Sequence, residues 1–250
     1  MPAPAPSPPP PPRPQVDPPS PAAEPAPPGP PSPPAGSPLP LYRTKLPPSG
    51  EWPYRLRRAG QEGEARLQWQ HDEQRYEARL EGRGEGRELQ WVSAGTVGDH
   101  GLAPSRFVDR RDRRRQAANF DHEAGRIGYS GNTEERPLYP GGQDRLSAFV
   151  QLAAILQARR SPAAVGEEVV LQVSGARGDT EVWRFQVQGP ERVTLADGSV
   201  RFALKLLREP THPYDTRAEV WTDPAHHHLP LKLVMRNGEH VFELTLQRAP

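Results

Sequence analysis

Three consecutive histidines, His226-His227-His228, are the residues of this chain best suited by type to hold a metal, with His212 and Asp215 not far upstream. A zinc site needs three or four ligands that converge on one point. Consecutive residues on a strand point to opposite faces, so at most two of the three can share a site without a special turn. Pro224 and Pro230 bound the run, which therefore reads as an exposed loop. No metal and no other cofactor is expected.

Acid and base chemistry has candidates but no pattern. The many Asp and Glu could supply a carboxylate pair, yet such pairs are recognised by their separation in the fold and not by their number. Ser147 and Ser161 lack a nucleophile context such as G-x-S-x-G. Asp144 beside Arg145 reads as a helix cap and an ion pair. With no cysteine there is no thiolate nucleophile, no thiolate ligand and no disulfide, and cysteine usage leaves the redox compartment open. The sequence predicts a protein that is not an enzyme.

Residues 106–115 hold six arginines, interrupted by Asp109 and Asp112. Nucleic-acid binding favours a surface of one sign with aromatics to stack on bases, and Phe107 is the one aromatic here. The run reads as a solvated pair of strands, with contact to an acidic lipid or polymer as the lesser option. The chain as a whole carries 32 Lys and Arg against 31 Asp and Glu, a net charge of +1, so no global field draws it to nucleic acid or to an anionic membrane. No nucleic-acid partner is expected.

Proline divides the chain that must position these groups: 23 of the 34 prolines fall in residues 1–48. A segment of Pro, Ala and Ser cannot bury enough apolar surface to offset its ordering entropy, and runs such as Pro8–Pro12 favour extended polyproline II. Residues 1–48 therefore read as a disordered spacer, about 150 Å long if fully polyproline II at about 3.1 Å per residue. Its PxxP matches are almost unavoidable in such a composition. Neither a secretory signal nor a membrane span is present. A spacer separates two things, so an N-terminal anchor preceding it is expected, and membrane association is expected only through that anchor.

Residues 49–250 read as a single antiparallel β domain. Apolar residues fall at every second position in Ala65–Gln70 and Tyr76–Leu80, with the charged turn His71–Gln74 between them, which makes a hairpin. Further strand-like runs are Glu88–Val97, Arg106–Asp109, Gln116–Phe120, Arg126–Tyr129, Glu168–Val173, Glu181–Val187, Val200–Leu207, Arg217–Thr222, Leu231–Met235 and His240–Leu246. Asn237-Gly238 predicts a two-residue hairpin turn. Trp52, Trp69, Trp91, Trp183 and Trp221 lie in strand-like runs and are expected in the core. One segment breaks the pattern: over residues 143–160, Leu146, Phe149, Val150, Ala153 and Leu156 recur at three- and four-residue steps, the stripe of an amphipathic helix ending before Pro162. The fold class is mainly β (α+β), a large curved antiparallel sheet or half-barrel packed around one principal helix. A sheet wrapped on a helix leaves a concave mouth, whose floor would be Leu146, Phe149, Val150 and Leu156.

The order Gly95-x-x-x-x-x-Gly101-Leu102-x-Pro104-x-Arg106-Phe107, Asn119-Phe120-Asp121, Gly142-Gln143-Asp144-Arg145-Leu146-Ser147, Val220-Trp221 and Leu229-Pro230-Leu231-Lys232 resembles the bacterial family called domain of unknown function 3108. The likeness spans nearly all of residues 52–248, and the Gln-Asp-Arg-Leu-Ser start of the helix is its most specific part. The resemblance implies an envelope protein similar in shape to the lipoprotein carriers LolA and LolB, with a curved sheet closing over helices around an apolar cavity. It also implies a Gram-negative periplasm and an inner-membrane anchor, and it carries over no catalytic residue. The function expected is a non-enzymatic envelope protein whose concave sheet binds an apolar or amphipathic ligand, a lipid or lipoprotein moiety, or a protein partner. The alternatives are an assembly adaptor with a filled core, pairing by a sheet edge, and a cell-wall hydrolase with acids clustered in the mouth.

Overall fold

Alternation of apolar and polar residues makes strands along more than half of the described chain, which in this computed structural model is Met1, residues 38–84 and residues 86–249. The expected disorder and PxxP matches of residues 2–37 lie outside the described residues. β1 (Gly50–Arg58), β2 (Gln61–His71), β3 (Arg75–Gly84), β4 (Arg87–Gly98), β5 (Gly101–Arg111), β6 (Arg114–Asp121), β7 (Arg126–Tyr129) and β8 (Glu135–Pro137) form an antiparallel meander. After β9 (Gln143–Asp144) and the helix α1 (Ser147–Gln157) comes a second meander. It consists of β10 (Glu168–Ser174), β11 (Thr180–Thr194), β12 (Val200–Arg208), β13 (Arg217–Asp223), β14 (Leu229–Asn237) and β15 (His240–Leu246). β15 pairs with β1, so the two meanders share one 15-stranded sheet, ordered β8 to β1 and then β15 to β9.

The inner face carries the predicted apolar positions. Ala65, Leu67 and Trp69 on β2 and Tyr76, Ala78 and Leu80 on β3 are all buried, while the residues between them face out. Each such large side chain contributes about 1.5–3 kcal/mol on burial. Local chemistry sets the turns: the Asp72 carboxylate accepts from the Gln74 and Arg75 amides at 2.7 Å, closing the β2–β3 hairpin. The last hairpin turns one residue later than expected. Asn237 pairs with His240, so Gly238 and Glu239 form the loop, and Gly238 takes the positive φ of 56°.

Side chains fasten the two ends of the sheet to each other. Tyr129 Oη on β7 meets Ser174 Oγ at 2.9 Å and Thr180 Oγ1 at 2.6 Å. Gln172 on β10 donates to the Pro137 carbonyl and accepts from the Tyr139 amide, both at 2.8 Å. Gln143 donates to the Leu102 carbonyl at 2.7 Å, and Gln151 of α1 accepts from the Leu102 amide at 2.9 Å. A side-chain amide has one donor end and one acceptor end, so Gln172 and Gln151 each stand in for the peptide group of a missing neighbouring strand, while Gln143 supplies a donor alone. The result is barrel-like closure with a helix inside.

That enclosure changes the helix from what periodicity predicts. It begins at Ser147 and not near residue 143, because Gln143 and Asp144 pair in parallel with Val173 and Ser174. It is not amphipathic in place: every residue from Ser147 to Leu156 is buried, covered by the sheet and by the segment around Lys45 that packs on it. Arg159 lies beyond the helix and pairs with Glu167. The boundary at residue 48 also moves. Residues 38–48 still carry four prolines, but with Leu39, Leu41, Leu46 and Tyr42 in place of Ala and Ser they pack on the barrel, where Lys45 N–H donates to the Ala154 carbonyl at 2.9 Å and the Val170 amide donates to Tyr42 Oη at 2.8 Å. Residues 38–250 form one compact unit.

Candidate functional site

Antiparallel alternation brings a particular set of turns to one end of the barrel. The β1–β2, β3–β4, β5–β6, β10–β11 and β14–β15 hairpins and the β12–β13 loop all close there, around a basin of about 570 Å³. Its walls carry Arg58, Arg87, Arg111, Arg145, Arg177 and Arg236 against Asp109 and Asp179. That is an excess of four positive charges in one concavity, on a chain whose net charge is +1. A low-dielectric cleft lined by one sign of charge concentrates its field and attracts counter-ions.

Two of the six arginines are already matched. Arg111 grips Asp109 with both Nε and Nη2, at 3.0 and 2.8 Å, and Arg145 pairs with Asp179. Arg58, Arg87, Arg177 and Arg236 have no ion pair among the described residues. Burial, and then repulsion from Arg111, lowers the Arg58 guanidinium from its ordinary value, with Asp112 and Asp109 partly opposing. Unmatched cations lining one basin favour an anion among them.

Leu89, Trp91, Met235, Val241 and Phe242 supply the basin with apolar surface. Trp91 stacks on Phe242 with ring centroids 5.4 Å apart, and its edge-on partner Phe107 lies behind at 6.1 Å. The Trp91 indole N–H is buried with no acceptor among the described residues. Apolar surface ringed by guanidinium groups matches a ligand with an apolar body and an acidic head.

The helix residues expected as the cavity floor face inward but meet little space. Leu146, Phe149 and Val150 line an apolar cavity of about 40 Å³ with Trp52, Tyr54 and Trp69, and Leu156 is buried outside that lining. Small-molecule sites measure roughly 300–1,000 Å³. The basin falls in that range and the interior cavity does not.

The histidine run is not assembled into a site. Pro224–His226 form a short 3₁₀ turn, with His226 Nδ1 2.7 Å from Asp223 Oδ2. His227 is exposed, and His228 Nδ1 sits 3.1 Å from Thr222 Oγ1, where burial pushes its pKa down to about 4. His212 and Asp215 meet Glu181 instead, with potential ligand atoms within 4.8 Å of one another. Sequence reasoning missed that grouping because 30 residues of hairpin separate its members. It does not hold a metal well, for Arg208, 1% exposed, already spans both carboxylates. Arg208 Nη1 is 2.6 Å from Asp215 Oδ1 and Nη2 is 2.9 Å from Glu181 Oε2, so a metal would have to displace a built-in cation.

Nor do the serines form a nucleophile. Ser147 Oγ accepts from the Asp144 amide at 2.9 Å, and Ser161 lies exposed beyond the helix. Asp144 does cap the helix as expected, accepting from the Leu146 and Ser147 amides at 2.8 and 2.9 Å, but Arg145 turns to Asp179. Of the arginine-rich run, Arg111 and Asp109 enter the basin. Trp69, Trp91, Trp183 and Trp221 are buried and Trp52 is half-buried. The basin's one signal in sequence is a recurrence of arginine within two residues of a turn glycine: Arg58 with Gly60, Arg87 with Gly86, Arg177 with Gly178 and Arg236 with Gly238.

A family model described as "Protein of unknown function (DUF3108)" matches residues 54–245. No curated protein matches the chain. Among solved structures it is similar to one titled "Crystal Structure of Beta-barrel-like Protein of Domain of Unknown Function DUF1849 from Brucella abortus", at 12% identity and a TM-score of 0.52 over 81% of this chain and 97% of that one. A likeness at that identity concerns the fold alone.

Proposed function

The chain belongs to the DUF3108 family, and from the geometry of its open end we propose that it is a non-enzymatic binding module for an amphiphile with an acidic head group. One observation carries this: a basin of about 570 Å³ that joins four arginines without ion-pair partners among the described residues to an apolar wall of Leu89, Trp91 and Phe242. The head group lies among Arg58, Arg87, Arg177 and Arg236, and the apolar body lies on Trp91 and Phe242. The ligand sits at the mouth, on the rim side of the enclosed helix. In this reading α1 is a plug that shapes the barrel from within.

The barrel works in the cell envelope, where lipids and lipoproteins carry such head groups, and the proline-rich segment spaces it from an anchoring point. A hydrolase finds less support, because Asp109, Asp179, Asp215 and Glu181 are each engaged by an arginine. Edge pairing finds less as well. β8 is three residues long, with a charge at Glu135 and Arg136 and a proline at its end, features that block strand addition.

The test is titration with monomeric dihexanoyl phosphatidylglycerol, followed by tryptophan fluorescence and native mass spectrometry. Saturable one-to-one binding is expected, at least about tenfold weaker in the Arg58→Gln, Arg236→Gln double variant, because each charge-assisted hydrogen bond is worth about 1.5–3 kcal/mol. Binding that ignores this double substitution would refute the site, and equal affinity for dihexanoyl phosphatidylcholine would refute the acidic head.

A further inference from the structure

The same end of the barrel presents a surface as well as a basin. Arg83 pairs with Glu88, Arg136 with Glu134 and Arg217 with Glu209, which neutralises those acids of the rim. At the hairpin tips, Arg58, Arg87, Arg113, Arg114, Arg177 and Arg236 are left without an ion pair among the described residues, against Glu62, Asp112 and Glu239. Arg113 and Arg114 are fully outside the basin, at the tip of the β5–β6 hairpin.

An aromatic stands among them. Tyr214, in the loop between β12 and β13, is 89% exposed, the most exposed large hydrophobic residue of the barrel. Its φ of 67° is one that bulky residues rarely adopt, and the loop fixes it there. Asn237 of the neighbouring β14–β15 hairpin donates to the Tyr214 carbonyl at 2.6 Å, and Arg208 holds Asp215, the next residue, from inside the barrel. A strained backbone and two anchors thus aim an apolar ring with a polar tip out of the arginine rim. Tyrosine with that placement is characteristic of side chains at the level of lipid head groups.

We propose that this end of the barrel docks on the surface of an anionic lipid bilayer, with Tyr214 seated among the head groups and the rim arginines against their phosphates. It rests on the reading above in placing the ligand mouth at the same end, so that a lipid in the bilayer surface faces the basin directly. No helix among the described residues is long and apolar enough to cross a membrane, and the contact inferred is peripheral. Charge complementarity selects the bilayer: its surface offers many phosphates in a plane, as the rim offers its arginines from several hairpins.

Co-sedimentation with phosphatidylcholine vesicles, with and without phosphatidylglycerol, tests the contact. The full chain should bind only the anionic vesicles and leave them as salt is raised. Two variants leave the basin lining intact: Arg113→Gln with Arg114→Gln, and Tyr214→Asn, which keeps a residue tolerant of positive φ. The arginine pair should weaken vesicle binding roughly 30-fold, from about fivefold for each basic residue at such a surface, and Tyr214→Asn should weaken it several-fold. Both should bind monomeric dihexanoyl phosphatidylglycerol as the parent does and unfold at the parent's temperature. Vesicle binding that neither variant alters would overturn the docking, as would displacement from vesicles by a single-stranded oligonucleotide at equal phosphate. Monomer binding with no vesicle binding removes the docking and leaves the basin; vesicle binding with no monomer binding does the reverse.

Discussion

Replacing Asp144 by asparagine should make the protein more stable at neutral pH, and by an amount that vanishes in acid. Asp144 is buried with no cation beside it; Ser93 Oγ donates to its Oδ2 at 2.5 Å and the Leu146 and Ser147 amides donate to Oδ1. Burial raises its pKa from 3.8 to about 6, and the three hydrogen bonds only partly oppose that. Because the folded value lies above the unfolded one, the fold favours the protonated form. The stability this contributes is complete below pH 3.8 and is lost as pH rises through about 6. Two units, at about 1.4 kcal/mol each, put the cost of the ionised group at about 3 kcal/mol near neutrality. The amide of Asp144→Asn keeps the acceptor for the two backbone N–H groups and can donate to Ser93 Oγ, without a charge to desolvate. Urea unfolding of parent and variant across the acid range isolates the effect, since other titrating groups cancel in the difference. The variant should be about 3 kcal/mol more stable at high pH, with the curves meeting near pH 3.8. A gap independent of pH, or a parent more stable at neutral pH, would refute the reasoning.

Arg208→Met should destabilise by about 3–5 kcal/mol in chemical unfolding, because Asp215 and Glu181 lose the cation that balances them inside the barrel; a neutral result would mean that the network contributes nothing net. Trp69→Phe removes the indole donor that holds the Pro47 carbonyl at 3.0 Å. It should cost about 1 kcal/mol and speed hydrogen exchange at the amides of Tyr42 to Leu46, where unchanged protection would show the segment to be held by packing alone.

The family motif has a structural reading throughout. Gly95 sits at a bulge between β4 and β5, where a Cβ would collide with the Ala103 carbonyl. Gly101 has a φ of +91° and lies against the Gln151 side chain. In Gln143-Asp144-Arg145-Leu146-Ser147, glutamine ties the sheet to β5, aspartate caps the helix, arginine holds Asp179, leucine fills the core and serine accepts from the Asp144 amide. These residues build the closure of the barrel. The one basin arginine that the motif supplies, Arg145, is held by a carboxylate partner, Asp179.

Period-two alternation fixed most strands within a few residues, because side chains on a pleated strand alternate faces whatever lies beyond them. Arg126–Tyr129 and His240–Leu246 were legible to the residue. The short β9 was not, for two residues carry no period, and its pairing with β10 depends on a parallel neighbour 30 residues away. Periodicity also located α1, but whether its polar face meets water or a second wall of sheet is settled by curvature, which no local pattern encodes.

The sequence by itself determined a β-rich domain, one helix and a proline-rich N-terminal segment, since each follows from local sterics and the spacing of apolar residues. The tertiary structure alone decided where the charge collects. Arginines beside turn glycines become one basin only when alternate hairpins are gathered at the same end of a strongly curved sheet, and that convergence depends on strand order and register, which are properties of the whole chain.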